Sequence, residues 1–220
     1  AVRVPASPVA RALLEAVGAP VAAPSANRSG RLSPTSAADV LAELDGRLAA
    51  VLDGGPCPVG VESTILGFDA EGTPVLLRSG GLTAERVAEI TGLRLEPLPE
   101  GPRPEAPGRL ASHYAPGVAL QLEAAAPSPG EGWLGFGPDP ASAERAPRES
   151  LSPSGDLTEA AARLFATLRR LDARLGGRGR VAVAPIPRQG LGKAINDRLA
   201  RAAAPRPHEQ APPGAREETR

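Results

Sequence analysis

Four stretches and one residue ahead of a helix carry side chains that can do chemistry. The first stretch, APSANRSG (residues 23–30), offers Ser25, Asn27, Ser29 and their backbone amides in a loop whose turn is fixed by Pro24 and Gly30. Small hydroxyl and amide groups leave room and present donors, so this loop can hold a nucleotide or an amino-acid carboxylate. The same residues also form ordinary Asx and Ser turns. Ser33, ahead of the next helical segment, reads as its N-cap, and a helix start also attracts anions. The second stretch, DGGPCPVGVESTI (residues 53–65), is a rigid Gly/Pro loop that delivers Glu62, Ser63 and Thr64 to the start of a strand. Alternation sends Glu62 and Thr64 to one face and Ser63 to the other, where a polar group on a buried face needs a partner such as a ligand. Cys57 reads as a small loop residue, since no His or Lys near it in sequence would lower its pKa.

In LLRSGG (residues 76–81), Arg78 ends an apolar strand beside two glycines. Its planar fork can clamp phosphate there, or form a surface ion pair. In the fourth stretch, Ser112, His113 and Tyr114 lie within a Pro/Gly-rich segment, where the His–Tyr pair can fold over a bound ligand. His113 lacks a nearby carboxylate in sequence to orient it as a general base. His208 falls in a polar tail and receives no role. Gly190, Leu191, Gly192 and Lys193 lack the full spacing of a phosphate-binding loop and read as a turn into a helix.

The elements that position these residues must be built with little aromatic material. The 220 residues include 41% hydrophobic side chains but only 2% aromatic ones, so cores must come from Ala, Val and Leu. Formal charge is zero, which argues against a general polyanion binder. One cysteine excludes an internal disulfide framework and any Cys-based zinc site, and it suits the reducing cytoplasm. No apolar run approaches the ~20 residues of a membrane span. The lack of any Met, with Ala at position 1, predicts a trimmed chain or a fragment.

Spacing predicts helices over 8–17 (stopped by Gly18), from Ser33 through Leu48, and from Thr83 to about Ile90, with strands at 21–23, 50–52, 61–66 and 75–77. Gly72 and Pro74 mark a hairpin turn. Residues 97–117 read as a linker, because they are rich in Pro and Gly and have no apolar period. The second half then predicts strands at 118–122, 133–136 and 180–184, with helices at 157–175 and 191–203. This alternation is the pattern of an α/β domain. The organisation is therefore 1–96, a linker at 97–117, a small α/β domain at 118–204, and a disordered tail at 205–220.

Taken in order, APSANRSGRLSPT, LDGGPCPVGVESTI, VLLRSGG with its helix, and APGRLASHYAP closely resemble the threonylcarbamoyl-AMP synthase (YrdC-like) family, and GLGKAINDRLARAA resembles its long two-domain form. The resemblance covers about residues 1–204. It implies the C-terminal part of a twisted α/β catalytic domain with a concave cavity, then a linker and a small Rossmann-like domain. It also implies a nucleotidyltransferase reaction in which L-threonine, bicarbonate and ATP, with Mg2+, give threonylcarbamoyl-AMP and pyrophosphate. A separate tRNA threonylcarbamoyl transferase would use the product, with tRNA contact possible and no membrane partner. Carried over by motif, Ser25, Asn27, Ser33, Arg78 and Tyr114 would surround ATP, while Arg3 and Ser63 would bind threonine. The family's upstream stretch, with its Lys and Arg cluster for the triphosphate, is missing from this sequence. The expectation is that this chain alone is poorly stable and inactive. Three rival readings are an RNA-binding module for tRNA or double-stranded RNA, a hydrogenase maturation carbamoyltransferase, which expects zinc-finger cysteines, and a structural fragment without a ligand.

Overall fold

The apolar segments of the C-terminal half pair into one parallel sheet because each is followed by a helix or long loop that returns the chain to the same end of the sheet. A computed structural model of the chain describes residues 2–3, 5–97, 108 and 110–205. Strands β4 (Ala119–Gln121), β5 (Gly132–Gly135), β6 (Arg148–Ser150) and β7 (Arg180–Val183) form a four-stranded parallel sheet in the order β4-β7-β5-β6. Helices α4 (Leu157–Arg174) and α5 (Leu191–Ala203) pack against each other and against the strands. Alternation divides the sheet. Leu134, Val181 and Val183 join Leu164, Phe165, Leu168 and Ile195 in one core, while Trp133 and Ala182 face a second core with Ala143 and Ala184. The alanines leave space for Trp133, whose indole N–H donates to Asp139 at 2.8 Å. β6 was not anticipated. It is an edge strand of sequence Arg-Glu-Ser and carries no apolar alternation to read.

The N-terminal part begins with α1 (Pro8–Val17), capped by Ser7 and ended by Gly18 in the left-handed region. The helix forms where spacing predicts it, yet none of its residues is buried. Helix α2 (Ala37–Leu44) is shorter than expected, and its cap is Ser36 rather than Ser33. The reason is local. Ser36 accepts from the Asp39 amide at 3.2 Å while the Asp39 carboxylate accepts from the Ser36 and Thr35 amides, a reciprocal box that only a residue three before Asp39 can make. Ser36→Ala is expected to cost about 1 kcal/mol, read as a lower urea midpoint for the whole chain.

Strands β1 (Ile65–Phe68) and β2 (Pro74–Arg78) pair antiparallel, and β3 (Glu96–Pro97) adds parallel to β2 after helix α3 (Ala84–Thr91). The hairpin turn is held by Asp69, whose carboxylate accepts from the amides of Glu71 and Thr73. The strands expected at 21–23 and 50–52 are not present. Val21 and Leu52 are exposed, and neither segment has a strand to pair with among the described residues. Most of the expected linker, residues 98–107 and 109, and the tail from 206 lie outside the described residues.

The two parts share one core. Leu32 and Val61 from the first, with Tyr114, belong to the same buried cluster as Val118, Leu164 and Leu199. Gly60 lies directly on α4: a Cβ there would fall 2.2 Å from the Ala161 carbonyl oxygen, and its φ of +76° is itself a glycine conformation. Arg169 of α4 completes the joint, reaching Glu43 at 2.7 Å, Asp39 at 3.3 Å and the Leu32 carbonyl.

Candidate functional site

Six segments converge on a cavity of about 750 Å³. The loop after α1 supplies Ala23, Pro24 and Ser25, and the approach to α2 supplies Ser33. Residues 62–66 form one side, and β2 contributes Arg78 at its end. Gly108, His113 and Tyr114 close over it, with Val2 and Arg3 at the margin. Of the residues singled out by sequence, Arg3, Ser25, Ser33, Ser63, Arg78 and Tyr114 all line this space. Asn27 does not. Its side-chain amide turns into its own loop, donating to the Arg28 and Arg31 carbonyls at 2.8 and 3.2 Å, a local side-chain-to-backbone use of such a residue.

Glu62 organises one wall. It accepts from the Ser33 hydroxyl at 2.7 Å and from Arg198 Nε at 2.8 Å, and its carbonyl accepts from the Gly81 amide. Ser33 therefore spends its proton on Glu62 and can only accept from a ligand. This differs from a helix cap offered to a phosphate. Burial works against ionisation of Glu62, but the Arg198 charge and the Ser33 hydrogen bond prevail and hold its pKa below the usual carboxylate value. A lowered folded-state pKa gives stability that is present above the unfolded carboxylate pKa and is lost as pH falls through the folded one. Glu62→Gln is therefore expected to be clearly less stable than the native chain at pH 7, with the gap closing as urea midpoints are taken down below pH 4.5, the ordinary carboxyl value.

Arg78, at the end of β2, holds the residue next to Glu62 in the same wall. Its Nε and Nη2 donate to the Ser63 carbonyl at 3.1 and 2.8 Å, and Nη2 also reaches the Ser63 hydroxyl at 3.3 Å. Ser63 is exposed in the cavity rather than turned to a buried face, because strand geometry begins only at Ile65. Thr64 is tied to the Leu82 carbonyl by its hydroxyl. Gly80 permits this arrangement: a Cβ on it would lie 2.3 Å from both Glu62 O and Thr64 N.

Tyr114 is buried at 2% exposure, with a φ of +59° that is rare for an aromatic residue. Its amide donates to His113 Nδ1 at 2.9 Å, and the two rings meet edge to face. An Nδ1 that accepts leaves the proton of the neutral imidazole on Nε2, so His113 is a donor to the cavity rather than a base. Burial lowers its pKa, as do Arg198, Arg201 and Arg78, against the opposing charge of Glu62. Burial raises the Tyr114 phenol. Cys57 sits on an exposed loop, its thiol pushed up by partial desolvation and by Asp39, which suits no nucleophile.

Comparison with known proteins gives the family. Residues 1–80 match the family model of Sua5, YciO and YrdC proteins, described as telomere recombination. Residues 82–204, more than half of the chain, match the model described as threonylcarbamoyl-AMP synthase, C-terminal domain. The chain belongs to the threonylcarbamoyl-AMP synthase family. Among its relatives, the Bacillus subtilis (strain 168) synthase is 45% identical over 125 residues, which is 56% of this chain and 36% of that protein. The Pyrococcus abyssi (strain GE5 / Orsay) synthase is 43% identical over 124 residues, 54% of this chain and 36% of that one. The crystal structure of P. abyssi Sua5 complexed with L-threonine superposes with a TM-score of 0.77 at 32% identity, over 91% of this chain and 63% of that one. The chain thus matches about a third of the length of these curated relatives.

Sequence reading of this synthase-family chain missed Arg198 and the partnership of Glu62 with Ser33. A signal for the first was present. Leu191, Ala194, Ile195, Arg198, Leu199 and Ala202 form the i, i+3, i+4, i+7 stripe of α5, and a charge on that stripe is a charge turned inward. Among the described residues no group of three His, Cys, Asp or Glu side chains could hold a metal, and no helix is long and apolar enough to cross a membrane.

Proposed function

We propose that this chain contributes the cavity of an L-threonylcarbamoyladenylate synthase, a nucleotidyltransferase that joins L-threonine, bicarbonate and ATP into threonylcarbamoyl-AMP and pyrophosphate. The observation that carries this reading is the convergence of Arg3, Ser25, Ser33, Ser63, Arg78 and Tyr114 on one cavity, in a fold that matches a relative crystallised with L-threonine. Threonine would lie toward Ser63 and Arg3, and the nucleotide toward Ser25, Ser33, Arg78 and Tyr114, with Asn27 supporting the loop that carries Ser25. The threonine amine adds to carbon dioxide with loss of a proton, or to bicarbonate with loss of water, and an oxygen of the resulting carbamate then attacks the α-phosphorus as pyrophosphate leaves. Such a reaction needs positioning and charge stabilisation rather than a protein nucleophile. Hydroxyls and Arg78 are parts suited to that work.

Magnesium would arrive with the triphosphate. Glu62, the carboxylate lining the cavity, is already committed to Ser33 and Arg198, so phosphate oxygens and water rather than side chains would hold the ion. No step above is routed through it. The product would pass to a tRNA-modifying transferase in the cytoplasm.

Calorimetric titration of the full chain with L-threonine, ATP and Mg2+ tests the reading. Saturable threonine binding that weakens by roughly tenfold, about 1.4 kcal/mol, in Ser63→Ala is the expected result. Retention of tRNA with no response to threonine or ATP would instead support the RNA-binding alternative.

A further inference from the structure

Arg198 is buried at 1% exposure on a helix of the second sheet's layer, yet its contacts run into the cavity wall. Nε donates to Glu62 at 2.8 Å, and Nη1 donates to Asp197 at 2.7 Å. The guanidinium lies over the Tyr114 ring, 5.5 Å from its centroid, while Nη2 is buried without a hydrogen-bond partner. The far end of α5 takes hold of the same segment through its backbone carbonyls and the Arg201 guanidinium. The His113 amide donates to the Arg201 carbonyl at 3.2 Å, Arg201 donates to the Leu110 carbonyl at 2.9 Å, and the Ser112 hydroxyl donates to the Ala204 carbonyl at 3.3 Å. Phe165 of α4 packs on Tyr114 as well, with centroids 5.5 Å apart.

We infer that Arg198 is a positioning residue for the cavity: from α5 it fixes Glu62, and through Glu62 the Ser33 hydroxyl, while it holds the Tyr114 ring in place as a second part of the lining. An apolar side chain of similar size would fill the same volume. It could not orient a carboxylate on one side and present a cation to an aromatic ring on the other. Burying a charged pair gives little net stability compared with apolar packing, so the pair's presence here is better explained by the geometry it imposes. The second sheet and its helices thereby set the shape of a cavity to which the sheet's strands contribute no lining residue. The ligand readout below rests on the proposed synthase function; the structural readout does not.

The test is hydrogen exchange by mass spectrometry on the full chain, comparing amides 112–115 with those of β5 and β7, together with threonine and ATP titration. In the charge-free pair Arg198→Met with Glu62→Gln, exchange at 112–115 is expected to rise by roughly tenfold or more while β5 and β7 stay as slow as before. Arg198→Lys, which keeps the charge and loses the fork, is expected to fall between. Threonine affinity is expected to drop in step with the exchange. Unchanged exchange at 112–115, or an acceleration spread evenly over the whole chain, overturns the inference, the second because it marks a merely structural residue. If the native chain binds neither threonine nor ATP, the proposed function fails, and the exchange comparison still decides the role of Arg198.

Discussion

Gly80→Ala is expected to destabilise the chain by about 3 kcal/mol and to remove ligand binding at the cavity. The added Cβ would sit 2.3 Å from Glu62 O, 2.3 Å from Thr64 N and 2.4 Å from Ser63 C. All three are backbone atoms, so no rotamer change relieves the clash. The segment must move away from β2, and with it go the Gly81–Glu62 hydrogen bond and the grip of Arg78 on Ser63. Gly81→Ala is the internal control. Its Cβ would meet the Val59 side chain at 2.6 Å, and Val59 is exposed enough to turn aside. Urea unfolding and threonine titration of the two variants should therefore separate sharply. Equal behaviour would mean that the 62–64 segment is not pinned as described.

The second large effect is expected at Leu164, which is fully buried at the middle of α4. Truncation to alanine should cost about 2–5 kcal/mol, the transfer free energy of the lost atoms plus the cavity they leave in an interior that cannot collapse onto it. Its neighbours decide how that loss is distributed. Leu164 belongs to one cluster with Leu32 and Val61 from the N-terminal part and with Leu134 and Val181 from the parallel sheet. A shared core predicts one cooperative transition for both parts. Circular dichroism and the fluorescence of Trp133, the only tryptophan in the chain, should shift together to lower urea in Leu164→Ala. Two separated transitions would show that the parts fold independently.

Elements with strong local reasons were legible in the sequence. Helix α5 occupies the predicted 191–203, and α4 and β7 fall within one residue of their expected ends. Amphipathic spacing, the Gly18 stop and the Thr83 cap are properties of adjacent residues, and adjacent residues are what a sequence displays. The candidate cavity was legible as a set of polar loops, since Ser25, Ser33, Ser63, Arg78 and Tyr114 each stand out from an apolar or glycine-rich surrounding. The expected strands at 21–23 and 50–52 failed because an apolar run becomes a strand only where another strand accepts its hydrogen bonds.

By itself, the sequence determined the α/β class, the order of the motifs and the family to which they belong, all through local pattern. Tertiary structure alone decided which way each polar group faces and what it holds. Ser33 became a donor to Glu62 rather than a cap, Asn27 turned back into its loop, and Arg78 was drawn to the Ser63 carbonyl. Arg198, 136 residues from Glu62 along the chain, became its partner. Those assignments depend on distances between segments far apart in sequence, where a hydrogen bond or an ion pair exists only after packing has brought its two ends together.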